Sequence, residues 1–72
     1  MVNMPEITLK VLRASKNLSQ AELGERLGVS QTTITSWETG KTTPNSKNIY
    51  ELANLYGVEP TVIFNAVFKQ KT

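Results

Sequence analysis

The strongest constraint on the fold is the three-residue connection Gly28-Val29-Ser30 between two stretches with helical patterning. Before it, Ser19-Gln20-Ala21-Glu22 has the spacing of a capping box, in which serine and glutamate side chains bond each other's backbone amides. Gly28 is typical of a left-handed helix end, and Ser30 is typical of the N-cap of the next helix. Two helices joined so tightly must cross steeply, which predicts a helix-turn-helix unit.

Apolar spacing indicates how these two helices pack together. Leu23 and Leu27 are four residues apart on the second helix, and Ile34 and Trp37 are three apart on the third. Each pair therefore shares one helix face. Gly24 has no side chain, so the two helices can approach closely there. We expect Trp37 in the core and not as an exposed stacking residue.

Helical spacing recurs elsewhere, and no stretch alternates apolar and polar residues as strands do. The first helix is expected to have Pro5 and Glu6 in its first turn. Asn45 and Gly57 bracket a fourth helix, and an unusually apolar last helix is expected at about residues 60–68. The sequence therefore predicts one all-α domain of five helices over the whole chain of 72 residues.

Composition argues against catalysis. The chain has no Cys, no His and no Asp, and its six acidic residues are all glutamates. Nucleophile–base pairs and His- or Cys-containing metal sites cannot be built from these residues, so we expect no enzyme, no metal, no cofactor and no small-molecule ligand. The net charge of +2 suits a polyanionic partner without requiring one. The longest apolar run is too short to cross a membrane, and no signal-peptide pattern opens the chain.

In helix-turn-helix units the second helix of the unit enters the major groove of DNA. The outward side of the third helix, about residues 31–38, therefore carries the candidate base-reading residues. At about 100° per residue, the side opposite Ile34 and Trp37 is polar, with Gln31 on its flank in the first turn. A glutamine amide can bond adenine through two hydrogen bonds, and a threonine methyl can contact thymine. The expected base contacts are Gln31, Thr32, Thr35 and Ser36. The alternative is an ordinary solvated helix face.

Phosphate contacts are expected from residues that flank the same helix. Gln20 begins the second helix, where backbone amides attract anions, and a polar segment with Lys41 follows the third. The predicted phosphate contacts are Gln20, Ser30, Thr33, Lys41, Thr42 and Thr43. For Lys41 the alternative is an ordinary surface lysine.

A set of spaced residues over roughly residues 7–64 carries a family resemblance. The segments are Leu12-Arg13, Leu18-Ser19-Gln20-Ala21-Glu22-Leu23, Leu27-Gly28-Val29-Ser30, Ile34, Trp37-Glu38, Gly40-Lys41, Pro44, Leu52-Ala53 and Leu55-Tyr56-Gly57-Val58. In these the chain resembles the Cro/C1-type helix-turn-helix domains of phage repressors and bacterial regulators. The resemblance implies a compact five-helix, lambda-repressor-like domain that binds operator DNA, often as a dimer. It also implies a DNA-backbone contact by Gln20 and an ion pair between Arg13 and Glu38.

The last helix is more apolar than one small core requires. Val62, Ile63 and Phe64 are expected to be buried, and the candidates for a dimer interface are Val62, Val67 and Phe68. The alternative is that this helix packs entirely on its own chain. A homodimer through it would set two recognition helices about one DNA turn, roughly 34 Å, apart.

These features together predict a sequence-specific regulator of transcription that binds double-stranded DNA in the cytoplasm of a bacterial or phage-infected cell, at the nucleoid. Repression is expected because blocking a promoter needs only occupancy, and 72 residues leave no room for a separate activation domain. The chain can also be a domain of a longer regulator. The alternative function, of another class, is an antitoxin or other protein-interaction module that uses the same fold.

Overall fold

A computed structural model describes residues 6–69, and within this range the chain forms five helices and no strand. The helices are α1 (Leu9–Ser15), α2 (Gln20–Leu27), α3 (Gln31–Glu38), α4 (Ser46–Tyr56) and α5 (Pro60–Lys69). The predicted all-α architecture is therefore confirmed. Across the described range no helix combines the length and apolar character needed to cross a bilayer.

Local capping chemistry sets most of the helix boundaries. Four N-cap side chains each accept a hydrogen bond from the backbone amide three residues later, and they belong to Thr8, Ser19, Ser30 and Asn45. Glu22 completes a capping box by accepting the Ser19 amide at 2.8 Å. This bond, with a smaller effect of the Ser19 hydroxyl, lowers the pKa of the Glu22 carboxyl. Gly28 and Gly57 end α2 and α4 at positive φ, which costs glycine little.

The first helix begins later than its sequence predicts. α1 begins at Leu9, so Glu6 lies before the helix, and Pro5 lies outside the described residues. The Thr8 hydroxyl accepts the Val11 amide at 3.1 Å and so caps the helix at this point. A threonine N-cap satisfies a backbone donor, and here it outweighs the preference of Pro and Glu for a helix first turn.

One apolar core joins all five helices. Its buried members are Leu9, Leu23, Ile34, Trp37, Leu52, Ala53, Tyr56, Ile63, Ala66 and Val67. Trp37 is 5% exposed and Ile34 is fully buried, as the spacing on α3 predicted. Burying each large apolar side chain contributes about 1.5–3 kcal/mol, so this cluster is the main source of stability in a chain without disulfides.

α5 divides its apolar residues between the core and the surface. Ile63 and Val67 are 0% and 1% exposed, whereas Phe64 and Phe68 are 52% and 46% exposed. The prediction that Phe64 is buried is therefore wrong, and so is the assignment of Val67 to a dimer interface. Residues four apart share a helix face, so one such pair faces the core and the other faces outward. The two phenylalanine rings touch, with centroids 4.5 Å apart.

Candidate nucleic-acid interface

At Gly24, α2 packs directly against the backbone of the turn that leads into α3. A Cβ atom at this position would lie 2.6 Å from the carbonyl oxygen of Val29 and 3.3 Å from the carbonyl carbon of Ser30. The Val29 amide donates to the Gly24 carbonyl at 2.9 Å, which closes the turn between the helices. Glycine at this position therefore sets the angle at which α3 leaves α2.

α3 turns a polar side away from the core. Gln31 and Thr32, in its first turn, are exposed, whereas Thr35 and Ser36 are half-buried. The four residues predicted to read bases thus lie on one broad side of the helix but differ in accessibility. The first turn is the part of a recognition helix that enters a groove, so the two exposed residues are the best placed to meet base edges.

Gln20 lies at the centre of a hydrogen-bond network between α2 and α3. Its Nε2 donates to Glu38 Oε1 at 3.0 Å. Its Oε1 accepts a hydrogen bond from Thr35 Oγ1 at 3.0 Å and a longer one from Gln31 Nε2 at 3.4 Å. Sequence reasoning assigned Gln20 to phosphate and missed these partners. The steep crossing of the helices was the available signal, but it does not say which side chains meet.

Arg13 on α1 and Glu38 at the end of α3 form the ion pair that the resemblance implied. Arg13 Nε and Nη2 donate to Glu38 Oε2 and Oε1 at 2.6 Å and 3.1 Å, and the two side chains are 13% and 6% exposed. Arg13 Nη1 also donates to the Leu18 carbonyl at 2.8 Å. The hydrogen bond to Glu38 raises the pKa of the Arg13 guanidinium further above its high ordinary value. Arg13 therefore holds α3 in place and does not face outward.

The residues that flank α3 also serve its caps. Ser30 Oγ accepts the Thr33 amide at 3.1 Å and lies 3.0 Å from the Thr33 hydroxyl. Beyond the helix, the amides of Lys41 and Thr42 donate to the Ser36 carbonyl at 2.9 Å and 3.3 Å. These two backbone amides are bonded within the protein, so the phosphate contacts predicted for the loop would have to come from its side chains. The exposed side chains there are Lys41, Thr42 and Thr43.

The outer side of α3 carries no ionic charge. Glu38 is the one charged residue between Gln31 and Gly40, and it is nearly buried against Arg13. Lys41 is the first cation after the helix. The exposed groups on this side of α3 are therefore neutral hydrogen-bond donors and acceptors, and a positive charge follows only beyond the helix, at Lys41.

Comparison with known proteins shows which family this architecture represents. A family model described as helix-turn-helix matches residues 9–63. The chain is 43% identical over 56 residues to an uncharacterised HTH-type transcriptional regulator of Methanocaldococcus jannaschii, covering 78% of this chain and 85% of that protein. A similar uncharacterised regulator of Archaeoglobus fulgidus is 38% identical over 56 residues, covering 78% and 79%. No solved structure matches the chain.

A third relative is much longer than this chain. The HTH-type transcriptional activator BcrR of Enterococcus faecalis is 42% identical over 50 residues, which are 69% of this chain but 24% of that protein. The family match spans more than three quarters of the chain and includes both helices of the α2–α3 unit. The chain therefore belongs to the Cro/C1-type helix-turn-helix family of transcriptional regulators, which binds DNA and is not enzymatic.

Proposed function

We propose that the chain binds a specific double-stranded DNA operator by placing α3 in the major groove. The observation that carries this proposal is the exposed Gln31-Thr32 pair at the start of α3. The close contact at Gly24 and the Arg13–Glu38 ion pair hold this helix at a fixed angle to the rest of the domain. A rigid helix with exposed amide and hydroxyl groups in its first turn is suited to reading base edges.

Base reading is assigned to four residues, which differ in how exposed they are. Gln31 bonds adenine, since its amide offers one acceptor and a donor. Thr32 is exposed and offers a methyl to thymine or a hydroxyl to either base. Thr35 and Ser36 are half-buried, so they contact only bases that approach the helix closely.

Phosphate contacts position the domain on the duplex and are assigned to the residues around α3. Gln20 has two amide hydrogens, of which one is donated to Glu38, and the second can donate to a phosphate oxygen. The exposed side chains of Lys41, Thr42 and Thr43 supply contacts beyond the helix, and Ser30 at its N-cap and Thr33 in its first turn supply hydroxyl groups. Lys41 is the only cation among these residues, so we expect a moderate dependence of affinity on salt.

A gel-shift titration at several salt concentrations, with DNA selected from a random pool, tests DNA binding directly. The logarithm of the affinity is expected to fall linearly with the logarithm of salt concentration as counterions are released. A protein that shifts no DNA even at low salt contradicts the proposal. That result would favour the alternative function, a protein-interaction module that uses the exposed aromatic residues of α5.

Repression by occupancy is our proposal for the direction of regulation. A domain bound over a promoter excludes the polymerase without any further contact. The test is a reporter whose promoter overlaps the selected operator. Expression is expected to fall when the chain is supplied, and a rise would place it with activators, the class that the name of one relative states.

A second copy of the chain is the partner we propose for the outward side of α5, formed by Phe64 and Phe68. Residues 60–68 carry no charged side chain, so two copies meet there without like-charge repulsion. Val62 is half-buried and lies about 160° around the helix from Phe64, on the other side of the buried residues, so it is not part of this face. Analytical ultracentrifugation is expected to show a concentration-dependent dimer that Phe68→Ser weakens, with Ala21→Ser, at an exposed residue of α2, as the control. A strict monomer at high concentration, alone and on operator DNA, contradicts this assignment.

A further inference from the structure

Hydrogen-bond donors and acceptors follow a fixed order from the Arg13–Glu38 ion pair to the surface of α3. A guanidinium can only donate, and an ionised carboxylate can only accept. A glutamine amide has a nitrogen that donates and an oxygen that accepts. Arg13 donates to Glu38, and Glu38 also accepts from the Gln20 amide at 3.0 Å. Gln20 therefore lies between Glu38, whose carboxylate can only accept hydrogen bonds, and the outward residues of α3.

The carboxylate of Glu38 determines which way the Gln20 amide points. Only the amide nitrogen can face an acceptor at 3.0 Å, so the amide oxygen must face α3. Thr35 must then donate its hydroxyl hydrogen to that oxygen, at 3.0 Å. The same hydroxyl has a second acceptor 3.1 Å away, the carbonyl of Gln31, so its hydrogen is shared between two acceptors. If the Gln20 amide were reversed, Thr35 could accept a hydrogen bond from its nitrogen instead. The Gln20 oxygen would then face a Glu38 carboxylate oxygen, and neither atom can donate.

The orientation of the Gln20 amide also determines how Gln31, the residue assigned to base reading, is hydrogen-bonded. Gln31 Nε2 donates one of its hydrogens to Gln20 Oε1 at 3.4 Å. Its oxygen and its second amide hydrogen are left for DNA. Adenine presents one donor and one acceptor in the major groove, whereas guanine presents two acceptors. An amide with one hydrogen already donated matches adenine, and it cannot give both hydrogens to guanine.

We propose that Glu38 is a positioning residue for base recognition, which acts through Gln20 to make Gln31 prefer adenine over guanine. This proposal rests on the proposed function, in which α3 reads the major groove. It adds a specificity role to a nearly buried carboxylate that touches no DNA itself. The relay consists of Glu38, Gln20, Thr35 and Gln31.

The substitution Glu38→Gln reverses the relay. Arg13 has only donors, and its shortest contact is from Nε to the Oε2 position at 2.6 Å, so the oxygen of the new amide takes that position. The new amide nitrogen then replaces Oε1, the atom that accepts from Gln20 as well as from Arg13 Nη2. Gln20 turns its oxygen toward that nitrogen and its own nitrogen toward α3, which releases both amide hydrogens of Gln31. In binding-site selection, the preference for adenine over guanine at the base read by Gln31 is expected to fall roughly tenfold.

Two further variants separate this role from a loss of stability. Arg13→Gln breaks the same ion pair but leaves the carboxylate facing Gln20, so it should lower the melting temperature and keep the adenine preference. Gln20→Ala leaves the ion pair intact, so it should keep the melting temperature near that of the wild type and relax the preference. The proposal is overturned if Glu38→Gln and Gln20→Ala select adenine as strongly as the wild type does. It is also overturned if Arg13→Gln relaxes the preference as much as Glu38→Gln.

A measurement on the free protein tests the relay apart from DNA binding. In the wild type and in Arg13→Gln, one side-chain amide proton of Gln20 should show the downfield NMR shift of a hydrogen bond to a carboxylate. In Glu38→Gln this shift should be lost. Unchanged Gln20 amide shifts in Glu38→Gln contradict the relay whether or not DNA is bound, while absence of DNA binding by the wild type contradicts the proposed function alone.

Discussion

At the scale of single residues, the Tyr56 hydroxyl departs from the general rule that buried polar groups are paired. Its oxygen is the one buried side-chain polar atom in the described part of the chain that has no hydrogen-bond partner. Burial, and to a lesser extent the negative charge of Glu38, raises the pKa of Tyr56 to about 12, while Arg13 opposes this effect. The phenol is therefore held neutral beside the ion pair.

Replacing this hydroxyl should stabilise the protein. Tyr56→Phe removes a desolvated group that has no partner, so the free energy of unfolding at neutral pH is expected to rise by about 1 kcal/mol. Urea denaturation measures this change, and Tyr50→Phe, at a residue that is 62% exposed, is the matched control with no expected change. A loss of more than about 1 kcal/mol in Tyr56→Phe would show that the hydroxyl has a partner, such as an ordered water.

The raised pKa of Tyr56 makes the stability of the protein depend on pH in the alkaline range. Between an unfolded pKa near 10 and the folded value of about 12, the folded state keeps the proton that the unfolded state loses. Wild-type stability should therefore be intact below pH of about 10 and should fall as pH rises toward about 12. Tyr56→Phe should lose less stability over this window, as followed by urea denaturation at stepped pH. Equal slopes for the two proteins would contradict the raised pKa.

At the scale of helices, the α2–α3 turn depends on two glycines for different reasons. Gly24→Ala places a methyl 2.6 Å from the backbone oxygen of Val29, so α2 must move away from the turn that leads into α3. Gly28→Ala meets no atom within 4 Å, and its cost arises only from φ of +72°. We expect about 1 kcal/mol of destabilisation for Gly28→Ala and about 3 kcal/mol for Gly24→Ala.

DNA affinity separates the two variants further. Gly28→Ala should bind operator with nearly wild-type affinity once folded, because the crossing angle is kept. Gly24→Ala should lose affinity at temperatures where circular dichroism still shows it folded. Equal affinity of folded Gly24→Ala and the wild type would show that the close contact does not set the recognition geometry.

How far the sequence predicts these helices depends on how local the cause is. Ser19, Gly28 and Asn45 were assigned correctly as caps because a cap involves residues within one turn. Phe64 and Val67 were misassigned because both are apolar, and their exposure depends on how α5 packs against the core. The partners of Gln20 were missed for a related reason, since three side chains from α3 meet it only after the helices cross.

At the scale of the whole molecule, charge is sparse where DNA is proposed to bind. The net charge is +2, and the exposed side of α3 has no cation. Lys41→Ala should therefore remove a distinct share of the phosphate attraction. We expect the slope of log affinity against log salt to decrease by about one, with binding weakened equally for all sequences.

Lys10→Ala is the control for this measurement, because Lys10 is an exposed lysine on α1 with no assigned contact. Its salt slope should equal that of the wild type. If Lys41→Ala and Lys10→Ala give the same slope, Lys41 is an ordinary surface lysine and the phosphate contact beyond α3 must come from Thr42 or Thr43.

The central claim is that α3 reads operator DNA through Gln31, and selection of bound DNA from a random pool tests it most directly. The wild type should select a site with at least one A·T pair per half-site, and Asn54→Ala, which removes an exposed amide on α4, should select the same site. Gln31→Ala should lose the preference at that pair, a discrimination worth about 1–3 kcal/mol, and keep it elsewhere. A selected sequence that Gln31→Ala leaves unchanged at every position would contradict the account.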